Sequence, residues 1–207
     1  INIADEYINV IEKYGYWKDS VLRLEGHAVW QFINMFISLW DYSTGENTDI
    51  SILYDRNDIQ KNSTIKEELG VVIPFSETPV MESTSENMYL NMIRRANRYI
   101  YITTPYLIIT WEMEKALISA AKTGVDVRII TPHIPDKKYV HLLTRSFYKN
   151  LVDNGVKIYE FEKGFIHAKN FLCDDGFVVI GSINLDYRSL YLHFECAVWT
   201  FGTLIVN

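Results

Sequence analysis

The order of apolar and polar residues along the chain predicts strands that alternate with helices. Four short apolar runs indicate strands, at residues 71–75, 99–103, 125–131 and 156–161. Three longer segments carry apolar residues at helical spacing, at residues 86–97, 111–123 and 137–154. Gly124 and Gly155 follow two of these segments directly, at the place where a glycine commonly ends a helix.

The carboxy-terminal part of the chain departs from this alternation. Three further β-type runs follow one another after residue 166. Alternation of strands and helices, followed by sequential strands, is typical of a sheet with both parallel and antiparallel neighbours. The sequence therefore predicts an α/β fold, with a mixed β-sheet flanked by helices on both faces.

The amino-terminal third combines one helical pattern with a polar stretch. Apolar residues such as Val29, Ile33 and Phe36 recur at helical spacing within residues 27–42 and predict an amphipathic helix facing a core. Residues 43–69 are polar and irregular, which indicates a surface connection.

A short internal repeat suggests how the chain is organised. Residues 1–3 resemble residues 183–185, and residues 19–26 resemble residues 195–202, so that Asn2 and Asp19 correspond to Asn184 and Glu195. We therefore expect residues 1–41 to be the remnant of a first half, residues 42–69 to connect, and residues 70–207 to form a second half. The chain also starts without a methionine, and we interpret it as a piece of a longer protein.

Composition narrows the class of partner. The chain has 207 residues, 48% of them hydrophobic, which is ample for a core, and a net charge of −6. An acidic chain argues against a nucleic-acid partner, because nucleic-acid footprints are normally basic. Cys173 and Cys196 lie in β-type runs, and we interpret both as reduced core residues, with a disulfide as the alternative. The sequence contains neither a signal peptide nor an apolar run of 18 residues, so this piece is expected to be soluble.

The candidate chemistry lies between residues 165 and 198. His167-x-Lys169-x₄-Asp174 is followed by Gly181-Ser182-x-Asn184 and then by Glu195. A neutral imidazole can attack an anionic phosphodiester and form a covalent intermediate, which splits one difficult step into two easier ones. Lys169 is expected on the same strand face as His167 and would stabilise negative charge on the phosphoryl oxygens.

The remaining residues of the pattern have supporting roles. Asn184 would add an N–H donor to the same oxygens, and Ser182 would share its face. Glu195 is expected to accept a hydrogen bond from the far ring nitrogen of His167 and so to fix its tautomer. Asp174 is expected to hold the turn that closes the strand. Since a lysine supplies the positive charge, neither a metal nor another cofactor is implied.

This combination of motifs resembles the phospholipase D superfamily, whose active sites each use two such motifs and a phosphohistidine. Longer phrases resemble bacterial cardiolipin synthases, at residues 104–108, 119–140, 145–169 and 181–195, and residues 15–26 resemble the stretch after that family's first motif. The resemblance implies a membrane-bound enzyme that joins two phosphatidylglycerols into cardiolipin and releases glycerol. It places His167, Lys169, Asp174, Ser182, Asn184 and Glu195 in the second motif, with Asn2 and Asp19 left from the first.

Several alternatives follow from the presence of one motif only. A phosphodiesterase, either phospholipase D or nuclease, could complete its site as a homodimer, and an excised domain could be inactive. The expected partners are phosphatidylglycerol or another phospholipid and, through the full-length protein, the surface of the cell membrane. Neither Asn2 nor Asp19 carries a dissociable proton near neutral pH, so we expect the isolated monomer to be inactive.

Overall fold

The computed structural model of the chain describes residues 4–50, 70–79 and 82–202. Its strands, in chain order, are β1 Tyr16–Lys18, β2 Val71–Glu77, β3 Tyr99–Thr103, β4 Leu107–Ile108, β5 Asp126–Pro132, β6 Lys157–Phe161, β7 Gly164–Ile166, β8 Asn170–Cys173, β9 Phe177–Gly181, β10 Leu185–Asp186 and β11 Glu195–Phe201. Its α-helices are α1 Ala28–Thr44, α2 Thr84–Arg95, α3 Trp111–Lys122 and α4 Lys138–Asp153. A 3₁₀ turn spans Asp5–Ile8, and a π-helical turn spans Arg188–Leu192.

The centre of the molecule is a seven-stranded mixed sheet in the order β2-β11-β9-β8-β3-β5-β6. Strands β3, β5 and β6 are parallel neighbours, joined through α3 and α4, as the alternating pattern predicts. Strands β8, β9 and β11 are antiparallel neighbours, as expected for strands that follow one another closely in sequence, and β2, from much earlier in the chain, pairs antiparallel with β11 at the edge of the sheet. The predicted α/β class with a mixed sheet and packed helices is confirmed.

Apolar residues of the central strands and of α3 form the core of this layer structure. Ile100, Ile129, Met113 and Leu117 have no solvent exposure. Helices α2 and α3 begin at the polar residues that the sequence provides: Ser83 accepts a hydrogen bond from the Glu86 amide at 3.2 Å, and Thr110 accepts one from Met113. The sheet and its helices are thereby held as a rigid support for the strand ends.

A second, two-stranded sheet joins the amino-terminal segment to the carboxy-terminal motif. Strand β1 runs parallel to β7, with Trp17 opposite Phe165 and Lys18 opposite Ile166. The two strands approach so closely that a Cβ atom on Gly164 would lie 2.2 Å from the Tyr16 carbonyl oxygen. Glycine is therefore required at position 164 for this pairing.

The structure bears on part of what the sequence predicts about domain division, the two cysteines and membrane-spanning helices. The division into residues 1–41, 42–69 and 70–207 stays a prediction, and Asn2 and residues 51–69 lie outside the described residues. Cys173 and Cys196 are free thiols, but only Cys173 is buried, so the expectation of two core cysteines is wrong for Cys196. Among the described residues, none of the helices is both long enough and apolar enough to cross a bilayer.

Candidate active site

A cleft of about 610 Å³ opens beside the β1–β7 sheet and the π-helical turn. Three predicted site residues line it, namely His167, Asn184 and Glu195. Aromatic side chains, among them Trp17 and Tyr106, form other parts of its wall. The cleft therefore combines polar groups with apolar and aromatic surface, the usual composition of a small-molecule site.

His167 is fixed by the segment between β7 and β8. Its amide donates a 2.7 Å hydrogen bond to the Lys18 carbonyl, which continues the pairing of β1 with β7 by one step. The rings of Tyr7, Trp17 and Phe165 surround the imidazole, with centroid distances of 5.3, 5.5 and 5.9 Å. These contacts hold the ring in place and leave its side chain 18% exposed, on the side of the cleft.

The hydrogen-bond partner of His167 is Asp19. The His167 Nδ1 atom lies 2.9 Å from Asp19 Oδ2. Burial opposes ionisation of Asp19 and is the largest single influence on its pKa, but the hydrogen bond with His167 and the charges of Lys169 and His167 lower the pKa overall. Asp19 is therefore ionised at neutral pH and accepts the Nδ1 proton, which is the tautomer whose neutral form carries its lone pair on Nε2.

The expectation that Glu195 orients His167 is wrong. The Glu195 Oε1 atom lies 3.0 Å from His193 Nδ1 and accepts a 3.1 Å hydrogen bond from the Ser189 hydroxyl. Asn184 Nδ2 donates to the same hydroxyl oxygen at 3.0 Å. The reason is topological. The pairing of β1 with β7 places Asp19 next to His167, whereas the π-helical turn places Ser189 next to Glu195, with His193 directly after the turn.

Lys169 is buried beneath the cleft and does not line it. Its ammonium group donates to the His167 carbonyl oxygen. Burial lowers the Lys169 pKa from 10.5 to about 8, although the charges of Asp19, Glu195, Asp186 and Asp136 act in the opposite direction. The expected strand alternation does not apply, because β8 begins only after Lys169, at Asn170. Lys169 nevertheless supplies a positive charge close to both carboxylates of the site.

Ser182 and Asp174 are occupied by structural contacts. The Ser182 hydroxyl donates to the Cys196 carbonyl at 3.2 Å and accepts from the Cys196 amide at 3.0 Å, so it links β9 to β11. Asp174 accepts hydrogen bonds from the amides of Asn97, Arg98 and Tyr99 at 2.5, 2.8 and 2.8 Å. The expectation that Asp174 holds a turn is confirmed, whereas Ser182 does not open into the cleft with His167.

Sequence reasoning did not select two residues that line this cleft, His193 and Asp136. His193 lines the cleft, but the spacing of the histidines gave no reason to select it. The aromatic residue Tyr106 donates a 2.6 Å hydrogen bond to Asp136, and both side chains line the same cleft. Among the described residues, His, Cys, Asp and Glu side chains do not converge in a group of three or more that would hold a metal ion.

Comparison with known proteins places this chain in a family. A family profile described as "Cardiolipin synthase, PLD-like domain" matches residues 89–207, more than half of the chain. The chain is 37% identical over 204 residues to cardiolipin synthase 2 of Bacillus anthracis, a match that covers 98% of this chain and 39% of the relative. The chain belongs to the phospholipase D-like family of cardiolipin synthases.

Another relative is similar to the chain in sequence, and two solved structures are similar to it in fold. The chain is 48% identical to an uncharacterized protein of Streptococcus mutans, over 98% of this chain and 43% of the relative. Its fold is similar to that of the phosphatidylserine synthase of Haemophilus influenzae, with a TM-score of 0.64 and 16% identity over 96% of this chain and 54% of that chain. The structure of Nuc from Salmonella typhimurium, a phospholipase D family member, matches 65% of this chain and 84% of that chain with a TM-score of 0.55 and 21% identity. The chain spans about two fifths of the length of the curated relatives it matches.

Proposed function

We propose that this chain carries one half of the active site of an enzyme that transfers a phosphatidyl group between two phosphatidylglycerols. The products are cardiolipin and glycerol. The observation that carries the proposal is the hydrogen bond between His167 and Asp19 in the wall of the cleft, in a chain of this family. A lipid substrate also agrees with the acidic net charge and with the apolar and aromatic parts of the cleft wall.

His167 is suited to the nucleophilic role. With its proton held on Nδ1 by Asp19, the lone pair of Nε2 attacks the phosphorus of the first phosphatidylglycerol. A bond forms between nitrogen and phosphorus, and the bond from phosphorus to the headgroup glycerol oxygen breaks. Glycerol leaves after this oxygen receives a proton. The glycerol hydroxyl of a second phosphatidylglycerol then attacks phosphorus, loses its proton and displaces His167.

Two other side chains stabilise the charge that develops on the phosphoryl oxygens. Lys169 is positively charged at neutral pH, because its pKa of about 8 lies above 7. Asn184 uses one N–H of its amide on Ser189 and keeps a second N–H for the substrate. Electrostatic stabilisation of this kind is generally a large part of catalysis.

The proton for the leaving glycerol requires a second acid. In the internal repeat Asp19 corresponds to Glu195, and Asp19 is bonded to the histidine of the other half. By the same symmetry, we assign Glu195 as the hydrogen-bond partner of the histidine of the first motif. The family resemblance implies that the longer protein contains this histidine. In this chain the Glu195 carboxylate is hydrogen-bonded to His193 instead.

The experiment uses the protein at the length of its relatives, with phosphatidylglycerol vesicles as the substrate. We expect cardiolipin and glycerol in equal amounts, and a phosphatidyl adduct on the peptide that contains His167 after acid-free quenching and mass spectrometry. Phosphatidic acid as the sole lipid product would instead favour the alternative of a hydrolytic phosphodiesterase. The proposed mechanism would be contradicted if the wild type formed no such adduct and His167→Asn kept full activity.

A further inference from the structure

The first turns of α4 expose apolar side chains beside the candidate active site. Tyr139, Leu142 and Leu143 are 89%, 65% and 48% exposed. Their spacing of three and four residues places them on one face of the helix. Leu143 and its neighbour Val140 also line the cleft, so this face begins inside the cleft and continues onto the outer surface.

The π-helical turn adds a further apolar side chain to the cleft mouth. Leu192, at the end of the turn, is 70% exposed and lines the cleft. We call Tyr139, Leu142, Leu143 and Leu192 the apolar rim. Single exposed leucines are ordinary on protein surfaces, but a group gathered at the mouth of a cleft marks an interaction surface.

Three cationic residues accompany the apolar rim: Lys137, Lys138 and Arg188. Lys137 and Arg188 line the cleft, and Lys138 is the first residue of α4. Within residues 4–50, 70–79 and 82–202, these cations make no ion pair, and the Lys137 ammonium lies 5.4 Å from the centre of the Tyr106 ring. The acids nearest to these cations in sequence both line the cleft and are hydrogen-bonded: Asp136 accepts from Tyr106, and Asp186 accepts from the Ser189 amide.

This combination of apolar and cationic groups restricts what can cover the rim. An anionic bilayer accepts apolar side chains at its interface and attracts lysine and arginine. A second copy of the chain, placed by a two-fold axis, would set the same three cations against each other. Continuity with the cleft also favours lipid, because a phospholipid that enters the cleft must keep its acyl chains on apolar surface.

We propose that the apolar rim and its cations form a docking surface for a bilayer rich in anionic phospholipid. The surface delivers the lipid headgroup to His167 while the acyl chains stay in the bilayer or on the rim. This inference rests on the proposed function, but it concerns binding to the bilayer and not the chemistry at His167. It can therefore fail independently.

The test measures binding of the 207-residue chain to vesicles by co-sedimentation. Vesicles of phosphatidylcholine mixed with phosphatidylglycerol are compared with vesicles of phosphatidylcholine alone. The double variant Leu142→Ser with Leu192→Ser should bind the mixed vesicles roughly ten- to hundredfold more weakly, because two exposed leucines no longer enter the interface. Lys138→Gln and Arg188→Gln should each weaken binding about fivefold, and less at high salt.

Matched controls separate the rim from general surface effects. Val152→Ser removes an exposed apolar residue from the far end of α4, and Lys122→Gln removes an exposed cation from the end of α3; both should bind within about twofold of wild type. Circular dichroism and the unfolding midpoint establish that each variant is folded.

Any of three results would overturn the proposal. The first is that wild type shows no preference for vesicles with phosphatidylglycerol, and the second is that the leucine double variant binds them as tightly as wild type. The third is that light scattering detects a wild-type dimer that the rim variants dissociate, which would assign the rim to a second copy. Vesicle binding without cardiolipin formation by the longer protein would contradict the proposed function and leave the docking surface standing.

Discussion

Two histidine–carboxylate pairs lie at the same cleft, whose wall includes both histidines and Glu195, and the pairs differ in how they are held. His167 with Asp19 is enclosed by three aromatic rings and by a backbone hydrogen bond to β1, and its side chain is 18% exposed. His193 with Glu195 follows the π-helical turn, and its side chain is 47% exposed. The bond lengths of 2.9 and 3.0 Å are nearly equal, so hydrogen bonding alone does not identify the nucleophile. Packing favours His167 for the nucleophilic role proposed above, because a reacting nitrogen must be held in one position.

Substitution of the two histidines should have the largest and most unequal effect. In the protein at the length of its relatives, His167→Asn should lower cardiolipin formation roughly thousandfold or more, since it removes the nucleophile. His193→Asn should lower it by less than about tenfold, because His193 has no place in the proposed reaction. Cardiolipin measured by mass spectrometry decides between them. Equal losses from both variants would show that the two pairs share the chemistry.

The isolated chain tests the same comparison from the other side. The 207-residue monomer has His167 but lacks the first-motif histidine that the resemblance implies, so we expect no cardiolipin formation above background. Light scattering on the assayed sample establishes that it is monomeric. Activity of this monomer that disappears in His193→Asn would make His193 the second acid and would contradict our assignment of Glu195 to another histidine.

Removal of the Asp19 carboxylate should have the next largest effect. Asp19→Asn should reduce cardiolipin formation roughly a hundred- to thousandfold, because the amide no longer stabilises the imidazolium or fixes its tautomer. The measurement is kcat/KM together with kcat, and both should fall by similar factors if the loss is specific to the transition state. Asp5→Asn is the control, since it changes a nearby acid of the same segment. If Asp19→Asn lost less than about threefold of the activity, the hydrogen bond between Asp19 and His167 would have only a structural role.

Lys169 lies close to both pairs and should show a conflict between stability and function. The fall of its pKa from 10.5 to about 8 means that the buried charge destabilises the fold at neutral pH by roughly 3 kcal/mol. Lys169→Met should therefore raise the free energy of unfolding at pH 7 by about 1–3 kcal/mol while abolishing activity.

The stability difference between Lys169→Met and the wild type should depend on pH. Between about pH 8 and 10.5 the unfolded chain keeps the Lys169 proton that the folded chain has lost, so the wild type gains stability as the pH rises. The advantage of Lys169→Met in urea unfolding should consequently shrink across this interval. An advantage that stays constant, or a variant less stable than wild type at pH 7, would contradict the dominance of burial.

Asp174 should have the smallest effect on the reaction, because it belongs to the motif but touches neither pair. Asp174→Ala should lower the free energy of unfolding by about 1–3 kcal/mol, since three backbone amides lose their acceptor and Asp174 has a positive φ of 54°. Asp174→Asn should lose less, because asparagine tolerates this conformation and keeps one acceptor oxygen. Activity of the folded variants should stay within about twofold of wild type; a greater loss would give Asp174 a part in the site.

The strand and helix pattern was predictable because it depends on local periods. Strand β3 was predicted at its observed bounds, and the predicted helices agree with α2, α3 and α4 to within two residues at each end. The predicted residues His167, Asn184 and Glu195 do line one cleft. Lys169 does not line it, because β8 begins only at Asn170 and the expected strand alternation therefore does not apply to His167 and Lys169. Ser182 does not line it either, because its hydroxyl is bonded to the Cys196 backbone.

The sequence by itself determined the fold class, the family resemblance and the candidate reactive groups. Periodicity, motif spacing and side-chain chemistry are all properties of short segments. The tertiary structure decided which carboxylate meets which histidine. Asp19 and His167 are separated by 148 positions, and only the register of β1 against β7 brings them to 2.9 Å. Glu195 is nearer to His167 in sequence, but the π-helical turn gives it Ser189 and His193 as partners instead.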